Sequence, residues 1–323
     1  MNPIHTVLGT GPLARATARS LEQRGVPVRL LSRSGDPGDL PSAQRLDLLD
    51  TAALSAALAG TPVVYFCAQP AYHRWPEDFP PLLDSVVTAC SRADCALVHG
   101  DNLYPYGDAA PDRPLAETSA ADATTRKGRV RAAMATALLA AHAEGRLRVA
   151  IARGSDFFGP WVTASALGRS VFDPLLRGGT VRVPGDPDQP HAYTYIEDFG
   201  TSLATLGLAG RGWGEVWHVP NSPAISPREL VRRAATLAGV APPKIAGYGR
   251  VSLAVAGVFM PAARETIELL PHFQRPYRVD DAKWRGRMPG VETPLDDALA
   301  RTIAWYRDPV PHPFDANRSA RKS

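Results

Sequence analysis

Short apolar runs alternate with segments of helical spacing through the first half of the chain. Residues 4–8 form an apolar run, and the segment after it keeps a helix-like pattern through Leu21 and Arg24. Residues 26–31 and 44–47 read as second and third strands, and a helix capped by Asp50 or Thr51 runs to Ala59. Residues 62–67 are continuously apolar, as a strand buried on both faces must be. A helix over 82–92 precedes a fifth strand at 95–99. An alanine-rich helix spans 126–143 and stops at Gly145, and a sixth strand follows at 147–152. Such alternation predicts an α/β fold built on a doubly wound parallel sheet, with its ligand at the carboxyl ends of the strands.

Beyond Gly159-Pro160 the pattern becomes mixed. Turns rich in glycine and proline (Gly178-Gly179, Pro184-Gly185-Asp186-Pro187) separate short strands at 180–183 and 215–219 from helices at 196–208, 227–238 and 293–306. The expected organisation is a Rossmann-like dinucleotide domain over 1–160 and a smaller mixed substrate lobe over 161–310, some of whose segments can return to the sheet. A polar tail, expected to be disordered, closes the chain at 311–323.

The first strand breaks into Gly9-Thr10-Gly11-Pro12-Leu13-Ala14, a G-x-G-x-x-A turn opening a helix. Glycines suit a tight turn whose backbone approaches a pyrophosphate, and the helix N-terminus offers free N–H groups to that anion. The second strand ends at Ser32-Arg33, where an NAD site usually carries a carboxylate for the ribose hydroxyls. A hydroxyl and a guanidinium bind a 2′-phosphate instead, so the expected cofactor is NADP.

A net charge of +4 and a pI near 9.1 look basic, but lysine and arginine are spread along the chain. No nucleic-acid signature or polybasic helix accompanies them, so neither nucleic acid nor membrane is expected as a partner. No run reaches the ~18 apolar residues of a membrane span, and no signal-peptide pattern precedes the first strand. Cys67, Cys90 and Cys95 lack metal-ligand spacing and fit a reducing cytoplasm, the expected location. The eight histidines show no close pairing, and no metal is expected.

Several segments, in order, resemble the extended short-chain dehydrogenase/reductase superfamily, in its epimerase/dehydratase group. They are the Gly9–Ala14 turn, Asp47-Leu48, Phe66-Cys67-Ala68, residues 97–107, residues 153–160 and Tyr195-Ile196-Glu197-Asp198. The resemblance implies cofactor contacts from Asp47 and Leu48 at the adenine, from Cys67, Ala68 and Gln69 after strand four, and from Ser155 after strand six. It also implies a Tyr-x-x-x-Lys pair on the helix after strand five, its i, i+4 spacing placing both on one face. This chain has no Tyr-x-x-x-Lys at any position, and no tyrosine between Tyr106 and Tyr193. The best register sets Thr125 in the tyrosine position and Arg129 in the lysine position, where Arg129 would hold the ribose; Lys127 is the competing basic residue.

Asn102 takes the usual Ser/Thr position. Tyr104, or Tyr106, is an alternative proton donor whose pKa a cation such as Arg129 would lower. Asp101 is open as a base, Asp156 as a substrate contact or cap, and His191 and Tyr193 as cleft residues. His99 reads as a core histidine. The stretch 261–284 is a further candidate lining. The leading expectation is an atypical NADP-dependent oxidoreductase or epimerase-like enzyme on a small carbonyl or hydroxyl metabolite. The alternatives are a non-redox cyclase, lyase or dehydratase on the same scaffold, or a non-catalytic NADP-sensing protein. Helices flanking such a sheet can pair, so a homodimer is also expected.

Overall fold

The computed structural model describes residues 3–35, 43–107, 113–259 and 267–308, which leaves the 311–323 tail outside the described residues. Strand β1 (His5–Leu8) is fully buried, and α1 (Pro12–Gln23) starts on a proline, whose missing N–H costs nothing in a first helical turn. Then follow β2 (Val28–Ser32), β3 (Ala43–Arg45), α2 (Thr51–Ala57) and β4 (Val63–Phe66). Asp50 caps α2 by accepting from the Ala53 amide at 2.9 Å. After them come α3 (Trp75–Arg92), β5 (Ala96–Asn102), α4 (Arg126–Ala143) and β6 (Val149–Gly154).

Seven strands form one parallel sheet in the order β10-β6-β5-β4-β1-β2-β3, where β10 is Val216–His218. The order reverses direction between β1 and β4, which opens a crevice at their carboxyl ends, the place where such sheets bind ligands. One face is covered by α2, α3 and α4, through Leu54, Phe79, Val86 and Leu138. The other is covered by α1 and α6 (Ile196–Ala209), through Leu21, Phe199 and Leu203. Gly200 permits the close α1–α6 crossing: a Cβ there would lie 2.4 Å from the Ala16 carbonyl carbon.

The remaining elements build a second core around Phe172, Tyr193, Leu230 and Leu299. They include β7 (Asp156–Phe158) paired with β9 (Tyr193–Tyr195), and β8 (Val181–Pro184) paired with β11 (Ile245–Tyr248). The helices of that core are α5 (Arg169–Arg177), α7 (Pro227–Ala238) and α10 (Leu295–Arg307); α8 (Arg250–Phe259) follows β11, and α9 (Ala282–Arg287) packs its buried Trp284 on the main sheet beside β10.

Two expectations need correction, and a third is made specific. The helix expected at 82–92 begins at Trp75: Pro76 lies in its first turn, and buried Trp75 and Phe79 offset the backbone bonds lost at Pro80 and Pro81. Strand five continues from His99 to Asn102, because Gly100, Asp101 and Asn102 stay in register with Ala152, Arg153 and Gly154. The strand expected at 215–219 is a segment that returns to the sheet: it extends the main sheet beside β6, with Trp217 fully buried.

Candidate active site and cofactor cleft

Gly9 sits at φ +110°, and a Cβ on it would lie 3.1 Å from the Ala68 backbone. Only glycine allows the β1 turn and the β4 exit to approach this closely. Gly11 faces open space, with nothing within 4 Å of where its Cβ would be, directly before Pro12 and Leu13. Thr10 and Leu13 flank this opening, and Leu13 packs over Gly100 of β5. A narrow glycine cradle ahead of a free helix N-terminus fits the diphosphate of a dinucleotide.

At the end of β2, Ser32 is buried and its hydroxyl accepts from the Gly35 amide at 3.1 Å, forming a turn that leaves Arg33 exposed. Asp47 is exposed and accepts from the Leu49 amide at 3.1 Å, while Leu48 is buried beneath it. Cys67 lies 3.9 Å from the Thr17 hydroxyl, and burial pushes its thiol up to about 12. Gln69 is exposed and accepts from Arg131 at 3.2 Å.

The expected Thr125/Arg129 pair does not face the cleft. Thr125 is the N-cap of α4, and its hydroxyl accepts from the Gly128 amide at 3.0 Å. Arg129 is exposed and donates back to the Thr124 carbonyl. The inward face belongs to Lys127 and Arg131, also four residues apart and 1% and 4% exposed. The buried positions of this turn are thus Lys127, the residue that competed with Arg129, and Arg131, which the sequence did not single out. The usable signal was the capping preference of threonine, which makes Thr125 a helix boundary.

Lys127 Nζ lies 2.5 Å from Glu268 Oε1 and 4.3 Å from the centre of the Tyr72 ring. The other Glu268 oxygen accepts from the Arg126 amide at 3.0 Å. Arg131 stacks over Trp75 and Phe79 and reaches to 3.5 Å from Asp101 Oδ1. Asp101 is held on its other oxygen by Arg153 at 3.0 Å, so this carboxylate is sandwiched between two guanidinium groups, away from the cleft mouth. Glu268 comes from the stretch singled out at 261–284, of which 261–266 lie outside the described residues.

Asn102 accepts from the Tyr104 amide at 3.1 Å and shapes the turn leaving β5. The Tyr104 phenol lies 3.4 Å from that of Tyr72. Its pKa is raised by burial, which outweighs the opposing pull of Arg131; the lowering expected from Arg129 does not occur. Tyr106 is buried, bonded to His218 Nε2 at 2.8 Å, and serves the fold. The Ser155 hydroxyl donates to the Ala192 carbonyl at 2.6 Å, and its amide donates to the Thr194 hydroxyl at 2.8 Å. Asp156 pairs with His191 Nε2 at 2.8 Å, and His191 stacks at 4.8 Å on both Phe273 and Tyr277. The carboxylate faces Tyr72, Tyr104 and Tyr193, and its charge helps raise all three phenols.

The model of the NAD dependent epimerase/dehydratase family matches residues 6–209, the β1–α6 core that carries this cleft. The chain belongs to that family. Among solved structures, this family member is similar to DesIV, a dTDP-glucose 4,6-dehydratase from Streptomyces venezuelae with NAD bound. Their TM-score is 0.76 at 21% identity, over 95% of this chain and 97% of that one. It is also similar to a UDP-glucose 4-epimerase from Thermotoga maritima with UDP-glucose, with a TM-score of 0.75 at 16% identity over 95% and 100% of the chains. A third likeness is the Thermus thermophilus UDP-glucose 4-epimerase complexed with NAD, with a TM-score of 0.74 at 19% identity over 95% and 100%. At these identities the likeness speaks for the fold. No curated protein sequence matches the chain. Among the described residues no group of three or more His, Cys, Asp or Glu is placed to hold a metal ion, and no helix is long and apolar enough to cross a membrane.

Proposed function

We propose that this family member is an NADP-dependent enzyme acting on a small hydroxyl or carbonyl metabolite, with a lysine in place of the family's tyrosine. The observation that carries the proposal is the buried Lys127/Arg131 pair on one face of α4, beside the ends of β4 and β5. Gly9, Thr10, Gly11, Pro12 and Leu13 would hold the diphosphate, Asp47 and Leu48 the adenine, and Cys67, Ala68 and Gln69 the path between the ribose groups. Ser32 and Arg33 would receive the 2′-phosphate. The cofactor supplies hydride chemistry. Arg131, always charged, orients the nicotinamide ribose, while the Lys127 ammonium exchanges a proton with the substrate oxygen. Asn102 and Tyr104 border the same space. The dTDP-glucose and UDP-glucose of the neighbouring enzymes' names belong to this hydroxyl-bearing class.

The missing phenol favours a second reading, a lyase, cyclase or dehydratase reaction in which the cofactor stays bound without net turnover. Substrate conversion with no change in nicotinamide absorbance would select it. The cofactor assignment is tested by calorimetric titration with NADPH and NADH. Arg33→Ala should weaken NADPH by roughly 10- to 150-fold, the equivalent of a charge-assisted contact of ~1.5–3 kcal/mol, and leave NADH unchanged. Ser32→Asp should invert the preference. Equal losses for both cofactors on Arg33→Ala would withdraw NADP.

A further inference from the structure

Two cations share one anion at the carboxyl ends of β5 and β6. Asp101, Arg131 and Arg153 are 4%, 4% and 3% exposed. Asp101 and Arg153 are register partners on the two strands, and Arg153 Nε donates to Asp101 Oδ2 at 3.0 Å. The Arg153 guanidinium also lies 4.7 Å over the Tyr106 ring, which His218 of β10 fixes through the phenol. Strand pairing and this stacked arginine hold the carboxylate in place.

Arg131 is held differently. Its head stacks at 4.4 Å on both Trp75 and Phe79, and Nη1 lies 3.5 Å from Asp101 Oδ1. Nη2 donates to Gln69 Oε1 at 3.2 Å, in the exposed exit of β4; this is its one hydrogen bond among the described residues, and its buried Nε has no partner there. Two guanidinium groups on one carboxylate leave a positive charge over, and most N–H donors of Arg131 unused. A buried cation in that state gains from an oxygen acceptor. We infer that Asp101 is the positioning residue of Arg131: fixed by Arg153, its charge holds that guanidinium ready for the hydroxyls of the nicotinamide ribose. Attraction between charges needs no hydrogen-bond alignment, which suits a partner that must keep its donors for a ligand. This rests on the cofactor reading above and extends it to Asp101 and Arg153, which act through Arg131 and touch neither cofactor nor substrate.

Calorimetry with NADPH, NADH and ADP tests it, since ADP keeps the adenine, its ribose and the diphosphate but lacks the nicotinamide ribose. Asp101→Asn preserves the shape and an acceptor for Arg153 while removing the charge. Both dinucleotides should weaken by roughly 10-fold or more, the loss of a charge-assisted contact, and ADP should bind as it does to the wild type. Equal losses for all three ligands would make Asp101 a support of the fold and overturn the inference, as would unchanged dinucleotide affinity. Arg153→Met serves if Asp101→Asn fails to fold, because it removes the surplus cation and leaves Asp101 and Arg131 as a balanced pair. It should show the same loss confined to the dinucleotides, and Arg153→Lys should restore most of it. An Arg153→Met protein that binds all three ligands as the wild type does, or loses all three equally, overturns the inference. A wild type that binds neither dinucleotide removes the cofactor reading itself, a result distinct from any variant effect.

Discussion

Lys127 is 1% exposed, whereas Glu268, its partner at 2.5 Å, keeps 23% of its side chain in solvent. The two ends of this ion pair therefore carry unequal risks. Glu268→Gln leaves an ammonium among aromatic rings without its carboxylate and should cost about 3 kcal/mol. Lys127→Met leaves a carboxylate that water can still reach and should cost about 1 kcal/mol. Urea unfolding of both variants checks the asymmetry; equal losses would show that the pair behaves like a surface contact. His99 offers a pH test at the same scale. Its ring packs 5.0 Å from Phe66, and burial pushes its pKa down to about 4 from 6.5. The unfolded chain takes up this proton below pH 6.5 and the folded one only near pH 4. Stability from this residue is therefore complete above pH 6.5, falls with pH between those values, and is lower by about 3 kcal/mol at pH 4. His99→Leu should flatten that part of the stability–pH curve.

Helix ends and crossings set where these side chains arrive. Thr125 starts α4, and moving that start by one residue would rotate Lys127 and Arg131 off the cleft face. Thr125→Ala should cost about 1 kcal/mol and Thr125→Ser almost nothing, as read by thermal unfolding. A role for the Thr125 hydroxyl in proton transfer would instead leave stability unchanged on Thr125→Ala. At the α1–α6 crossing, the helix propensity of alanine favours Gly200→Ala by about 1 kcal/mol. The Cβ would fall 2.4 Å from the Ala16 backbone, which cannot move aside as a flexible side chain could. Overpacking should dominate, giving a net loss of about 2 kcal/mol. A stabilised variant would mean that the helices separate at little cost.

Across the molecule, the cofactor half depends on chain that follows it. Strand β10 completes the sheet beside β6, and α6 covers β4, β5 and β6, with Leu203 against Gly100 and Phe199 against Gly154. Trp217 and Trp284, both buried, seal the same face. A fragment of residues 1–160 would expose this surface and lose a neighbour of β6. It should give no cooperative thermal transition by circular dichroism, while the full chain gives one. A cooperative transition in the fragment would show that the cofactor half folds as an independent domain.

Local rules sufficed for the alternating strands and helices, the glycine turn, the absence of a carboxylate after β2 and the span of α4, because adjacent residues encode periodicity, caps and turns. The family resemblance was legible in the same way, as short motifs each lying within one loop. The inward face of α4 was not. A low-contrast alanine-rich helix does not announce which side is buried, and Lys127 meets Glu268 across 141 residues of sequence. Asp156 meets His191 only because β7 pairs with β9. The three residues of β10 fit either lobe by pattern, and their place beside β6 is decided by the sheet edge and by the burial of Trp217. The sequence by itself determined the scaffold and its cofactor turn. Tertiary structure alone decided which charged side chains of α4 are buried, since that depends on contacts between segments that no local pattern specifies.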